Sequence, residues 1–200
     1  MQLIMSPASP FVRKVRVTVR ELDLTDQVEE VQITTTPLQS AKEAVAANPT
    51  GKIPSLKRSD GPTLYDSRVI TRFLNAKAEG TLYPEGRIWE ILTLEATGDA
   101  LMEAGVSMIY EERFKGTEGA SGDWIEAQWG KIERAVGAVN DRWMSHMASH
   151  LNAGAIAVGC ALGYLDFRMP DRDWRSKGAS LADWYEGFSA RPSMVDTAPS

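Results

Sequence analysis

Apolar and polar positions follow two different rhythms along this chain. Up to about residue 80 the apolar runs are short and often interrupted, and beyond it they become long helical stripes. Residues 2–5 (QLIM) form a short apolar run that stops at Ser6-Pro7, as a buried strand does. The next segment reads two ways. Val15, Val17 and Val19 alternate with polar residues like a strand, whereas Val12, Val15, Val19 and Leu22 keep a helical spacing. Ser9 is a good N-cap and Pro10 a preferred first helical residue, and both favour the helix. Residues 28–33 (VEEVQI) predict a second strand, and SAKEAVAAN a short helix stopped at Asn48-Pro49. IPSL and TLY, joined through Ser59-Asp60-Gly61, predict a hairpin, and a helix starts from Asp66-Ser67 through Val69, Ile70, Phe73 and Leu74. The order is βαβα followed by ββα.

Gly80 to Gly86, with Pro84 between them, reads as a linker. A helix then carries Ile88, Ile91, Leu92 and Leu101, and Met102, Val106 and Tyr110 continue it or a kinked partner around Gly98 and Gly105. Residues 116–122 read as a loop. Ile125, Trp129, Ile132, Val136, Val139 and Trp143 form a regular stripe within a helix over 124–147. Residues 153–167 are almost wholly apolar over about 15 residues, too few to span a bilayer, which makes them a central buried helix. Residues 181–188 close the pattern with a short helix. The expected domains are therefore 1–79, mixed α/β, and 86–200, all helical.

Composition narrows the function classes. The chain has 200 residues and an ordinary 43% hydrophobic share. Its start lacks the basic and apolar regions of an export signal, so a cytoplasmic protein is expected. Cys160 is the single cysteine, which excludes an intrachain disulfide and a cysteine-rich metal site. His146 and His150, four apart, lack a matching carboxylate pattern, and no metal is expected. The net charge is +2 over residues 1–80 and −7 over 81–200, so neither half is a nucleic-acid platform and no membrane partner is implied.

Three segments carry chemistry. Ser6-Pro7-Ala8-Ser9-Pro10-Phe11 sets hydroxyls at a strand-to-helix turn, where free N–H groups and the helix dipole favour an anion; the same residues also suit a plain cap. In Asn48-Pro49-Thr50-Gly51-Lys52-Ile53-Pro54-Ser55-Leu56, a proline at the head of a strand belongs at an edge or a special turn. A cis Ile53–Pro54 bond there would turn the Ile53 main chain outward to pair an extended peptide, whereas a trans bond would make it an ordinary edge proline. In Leu64-Tyr65-Asp66-Ser67-Arg68, a helix end and Ser67 suit a carboxylate and Asp66 an ammonium, as an α-amino-acid head group offers, or the two simply cap.

In this order the three motifs resemble the glutathione transferase superfamily, in its bacterial, serine- or cysteine-bearing cytosolic branch. The helix from Ala157 to Arg168 and the Arg191-Pro192-Ser193 ending look similar too, so the resemblance covers the whole chain. It implies a thioredoxin-like N-terminal domain, a helical acceptor domain, glutathione as co-substrate, a homodimer and a detoxifying transferase acting on small electrophiles. By the same resemblance Ser9 would donate to the glutathione thiolate, with Ser6 the rival. Phe11, Lys52, Ile53, Pro54, Asp66 and Ser67 would hold the tripeptide, and Gln39, Lys42 or Lys52 would reach its glycyl end. Phe11, Met102, Val106 and Tyr110 would line the acceptor pocket. Related outcomes are a glutathione-dependent isomerase or dehalogenase, or a binding protein without turnover. One departure stands out: the family's buried helix starts with Ser or Thr and carries Asp three residues on, whereas this chain has Asn152 and Ala155.

Overall fold

The computed structural model describes residues 1–199; Ser200, the end of the expected second domain, lies outside the described residues. The chain divides into two compact units. One is Met1–Pro84 together with the segment from Pro192 onward, and the other is Glu85–Arg191. The tail that the sequence pattern groups with the helical half is thus clustered with the first unit.

In the first unit, β1 (Gln2–Met5) is the middle strand of three. β2 (Glu29–Gln32) runs parallel to it and β3 (Ser55–Lys57) antiparallel. β1 is buried from Leu3 to Met5, which explains its unbroken apolar run. The helices are α1 (Pro10–Glu21), α2 (Lys42–Ala47) and α3 (Ser67–Lys77). Val12, Val15 and Val19 of α1 join Leu3, Leu56, Ile70 and Leu74 in one core.

The ambiguous valine segment is this first helix, and Ser9 caps it by accepting from the Val12 N–H. Its strand-like alternation has a physical origin. The helix is enclosed on most sides, so Lys14, Arg16 and Thr18 are buried between the valines. Arg16 and Arg20 both pair with Glu30 of β2 at 2.9 Å, and the Arg13 guanidinium donates to the Met194 carbonyl at 2.9 Å. The polar residues are inside because partners are there to receive them.

The predicted hairpin is only partly formed. TLY contributes a single antiparallel bridge, Leu64 to Leu56, with two hydrogen bonds of 2.9 Å. Pro62 cannot extend the ladder, its carbonyl is taken by Arg58, and Asp66 already caps the next helix.

The helical unit contains α4 (Ile88–Gly119), α5 (Gly122–Arg142), α6 (Met144–Met147), α7 (Ala153–Arg168) and α8 (Ala179–Ser189). A further turn, α9 (Pro192–Val195), belongs with the first unit. α7 is buried continuously from Ala153 to Leu165. α4 does not kink at Gly98 or Gly105. Gly98 is there for close approach, since a Cβ would stand 2.6 Å from the Ala157 carbonyl carbon of α7. The irregularity falls at Gly116, φ 71°, and helix resumes to Gly119 through much of the expected loop. The stripe over 124–147 is split at Trp143 into α5 and α6. Among the described residues no helix is long and apolar enough to cross a membrane. A thioredoxin-like unit with an all-helical unit is the architecture expected from the sequence.

Candidate functional site

The register of the small sheet gathers the three motif segments of the first unit at one end. β1 finishes at Met5 and the chain turns through Ser6 to Ser9 at the start of α1. Ile4 pairs with Ser55, so Pro54 and Ile53 stand next along, beside the end of β1. The Leu56–Leu64 bridge runs antiparallel, so the chain after Leu64 returns Asp66 toward that same end. The charge of Lys14, in the second turn of α1, acts on the Asp66 carboxyl, and α1 packs on α3. Two helix N-termini and the head of one strand therefore face a common region.

Each segment is held for a local reason. Ser9 is half-buried; its Oγ accepts from Val12 N at the long distance of 3.4 Å, and its N–H donates to the Ser6 carbonyl. Its hydroxyl proton has no acceptor among the described residues, so Ser9 caps the helix and keeps a donor in reserve. Ser6 is half-buried before it, and Phe11 half-buried in the first turn of α1.

The Ile53–Pro54 peptide is cis. Asn48, 3% exposed, builds the loop before it. Its amide donates to the Lys52 carbonyl at 3.1 Å, while its Oδ1 accepts from Thr50 N and Thr50 Oγ1. Ser55 Oγ also donates to the Lys52 carbonyl. Gly51 takes φ 69°, a conformation that suits glycine, with Ser40 and Val45 packed where a side chain would go. The Lys52 side chain is exposed. Ile53 packs its side chain against the core, yet among the described residues its main-chain N–H and C=O have no hydrogen-bond partner. An anchored side chain with a free peptide group is an edge ready to pair an extended ligand.

Asp66 follows a second cis peptide, Tyr65–Asp66, and caps α3 through Arg68 N at 3.0 Å. Its carboxylate also takes the Arg68 guanidinium at 2.9 Å. Burial acts upward on this carboxyl. The hydrogen bond and charge of Arg68, the Arg68 N–H and the charge of Lys14 outweigh it and hold Asp66 below its ordinary range. Asp66 is thus an exposed anion, whereas Ser67 is 2% exposed with no side-chain partner among the described residues.

The four expected acceptor-pocket residues fall on two units. Phe11 belongs to α1, while Met102, Val106 and Tyr110 lie on α4. Met102 is fully buried, and Val106 and Tyr110 are half-buried. Three further participants escape a sequence reading. Asn48 looks there like a mere helix stop, although Asn before Pro two residues ahead of a Gly is the available signal for such a loop. Arg68 and Lys14 act through distance and burial, which the sequence does not carry.

A thioredoxin-like unit with a cis proline heading an edge strand, followed by a helical unit, defines the class. Residues 8–77 match the glutathione S-transferase N-terminal domain, and residues 122–187 match the C-terminal domain. A glutathione transferase family member from Pseudomonas fluorescens Pf-5, solved with bound glutathione, is 40% identical with a TM-score of 0.96. The match covers 100% of this chain and 98% of that one. A second structure from that organism, with bound S-(propanoic acid)-glutathione, is 39% identical at TM-score 0.92 over 100% of both chains. A curated GST-like protein of Escherichia coli K12, YibF, is 26% identical over 204 residues, covering 100% of this chain and 98% of its own. This chain belongs to the glutathione transferase family.

Proposed function

We propose that this protein binds glutathione along the free edge at Ile53 and activates its thiol for attack on small electrophiles. The unpaired main chain of Ile53 beside Pro54, at the same end of the sheet as Ser9 and Ser67, is the observation that carries this reading. The Ile53 peptide group pairs the cysteinyl segment as an added strand. Ser67 and the N-terminus of α3 receive the γ-glutamyl carboxylate, and Asp66 receives its ammonium. Lys52, exposed on the neighbouring loop, reaches toward the glycyl carboxylate. The glutathione-bound relatives from P. fluorescens support the ligand.

Ser9 then donates its spare proton to the sulfur. Lowering a thiol pKa by about two units requires about 2.7 kcal/mol of thiolate stabilisation. One hydrogen bond to a charged atom gives about 1.5–3 kcal/mol, and the helix N-terminus about 0.3–1 more. No separate general base is required. The thiolate attacks an electrophilic carbon of the acceptor. The assembly is a homodimer, a reading supported by the exposed Tyr65 just before α3, Val69 on α3 and Trp89 on α4.

Titration calorimetry with millimolar glutathione tests the reading, with a generic aryl halide as the turnover substrate. Saturable heat and a glutathione-dependent product are expected, from a particle sedimenting at twice the chain mass. Absence of heat removes the transferase assignment.

A further inference from the structure

The segment that leaves α3 is tied back to it. Asn75 accepts the Gly80 N–H on its carbonyl at 2.8 Å and the Leu82 N–H on its Oδ1 at 2.9 Å. Tyr83 follows, half-buried, with the Arg72 guanidinium 5.4 Å from its ring centre. Its hydroxyl lies 2.8 Å from Thr71 Oγ1, and Thr71 is 1% exposed. Thr71 Oγ1 donates to the Ser67 carbonyl at 3.0 Å, and the Arg68 carbonyl stands at 3.2 Å. A threonine hydroxyl has one proton, so with that proton on the α3 carbonyls the Tyr83 hydroxyl is the donor to Thr71. Thr18, Thr93 and Thr97 also donate to the carbonyl four residues back, at 2.9, 2.7 and 2.9 Å, an ordinary habit of helical threonines. Of the four, Thr71 alone has a second side chain on its hydroxyl among the described residues.

We propose that Tyr83 is a positioning residue for the ammonium of the γ-glutamyl group, acting on Asp66 through Thr71 and the Ser67–Arg68 peptide. This rests on the glutathione reading above and adds a residue to it. The Ser67 carbonyl and the Arg68 N–H are the two ends of one peptide group, and that N–H donates to Asp66 Oδ1 at 3.0 Å. The bonds therefore run in one direction, from the Tyr83 hydroxyl to Thr71, from Thr71 to the peptide, and from the peptide to the carboxylate. Peptide groups are planar, so a bond that fixes the carbonyl also fixes where the N–H points. Donors and acceptors aligned in a chain polarise one another, more strongly where water is shut out, as it is around Thr71. Arg68 also holds Asp66 Oδ2 at 2.9 Å, but through an exposed side chain that water screens. The carboxylate keeps further acceptor capacity for an ammonium. Without the Tyr83 proton, Thr71 Oγ1 turns more freely between the two carbonyls, and the first turn of α3 loosens beneath Asp66.

Calorimetry compares two ligands, glutathione and its des-amino analogue glutaryl-cysteinylglycine, which lacks only the ammonium. Wild type should bind glutathione at least about tenfold tighter, the scale of one charge-assisted pair. Tyr83→Phe should lose about threefold to tenfold in glutathione affinity, the range of one hydrogen bond, and stay within about twofold for the analogue. Thr71→Val should lose as much, and the double variant Tyr83→Phe/Thr71→Val no more than either alone, while Thr71→Ser should restore the wild-type preference. Should Tyr83→Phe not fold, the comparison of Thr71→Val with Thr71→Ser carries the test. A lower melting temperature with both ligands weakened alike would mean a tyrosine that only fastens the linker, and would overturn the proposal. So would additive losses in the double variant, or equal binding of the two ligands by wild type. Heat from glutathione with an undiminished preference in Tyr83→Phe rejects only the positioning role; no heat from wild type with either ligand rejects the glutathione reading and this one with it.

Discussion

At the scale of single residues, Ser9 has two duties that separate experimentally. As N-cap it contributes about 1 kcal/mol to the stability of α1, and the long 3.4 Å bond to Val12 leaves its proton unengaged. Ser9→Ala should slow conjugation at least about tenfold, a loss of about 1.4 kcal/mol in the transition state. Glutathione affinity should stay within about twofold, because the main chain at Ile53, the charge of Asp66 and the hydroxyl of Ser67 at the α3 N-terminus supply most of the binding. Ser6→Ala should matter less. Stopped-flow rates at saturating glutathione check this, and a Ser9→Ala enzyme as fast as wild type would remove Ser9 from the mechanism. The residue types at this site were legible in the sequence. The Arg68 contact with Asp66 and the bracing of the loop by Asn48 were not, because each depends on where the backbone turns.

At the scale of elements, α7 gives the clearest case. Asn152 Oδ1 accepts from Ala155 N at 2.9 Å, so the first half of the cap is made. Ala155 cannot return a bond to the Asn152 N–H, and Asn152 is 2% exposed. Ala155 also lines a cavity of about 310 Å³ with Trp184, Phe188 and Arg191, so a longer side chain has room. Ala155→Asp should therefore close the reciprocal cap and stabilise by about 1 kcal/mol, raising the melting temperature by a few degrees. Calorimetric scanning measures it, and a fall would mean that the buried carboxylate costs more than its hydrogen bond returns. The helices of the second half were readable because their stripes keep one period over several turns. The β3 hairpin was not, since its two short apolar runs do not reveal that Pro62 and the Asp66 cap limit the pairing to one bridge.

At the scale of the molecule, the segment from Pro192 onward matters most for the first unit. Met194 is 1% exposed and Thr197 fully buried. The Met194 carbonyl receives the buried Arg13, and Ser193 donates to Glu21 at the end of α1. Among the described residues Arg13 Nε already lacks a partner, so removing the tail would leave the guanidinium still less satisfied. Truncation after Arg191 should destabilise the protein by about 3 kcal/mol or more, from one charge-assisted bond and one buried apolar side chain. Urea unfolding followed by tryptophan fluorescence tests it, and a midpoint matching the full chain would show that the tail only rests on the surface. Hydrophobic pattern could not assign this segment, because four helical residues are too few to display a period.

By itself the sequence determined the order of elements, the caps at Ser9, Asp66 and Asn152, the buried character of α7 and the residue types at the sheet end. These follow from rules that act over three or four neighbouring residues, which any stretch of chain displays. Tertiary structure alone decided that Lys14 and Arg16 lie inside, that Gly98 marks a close approach, and that Arg13 meets the Met194 carbonyl. Each of these depends on what another part of the chain brings near, and burial and pairing are properties of that meeting.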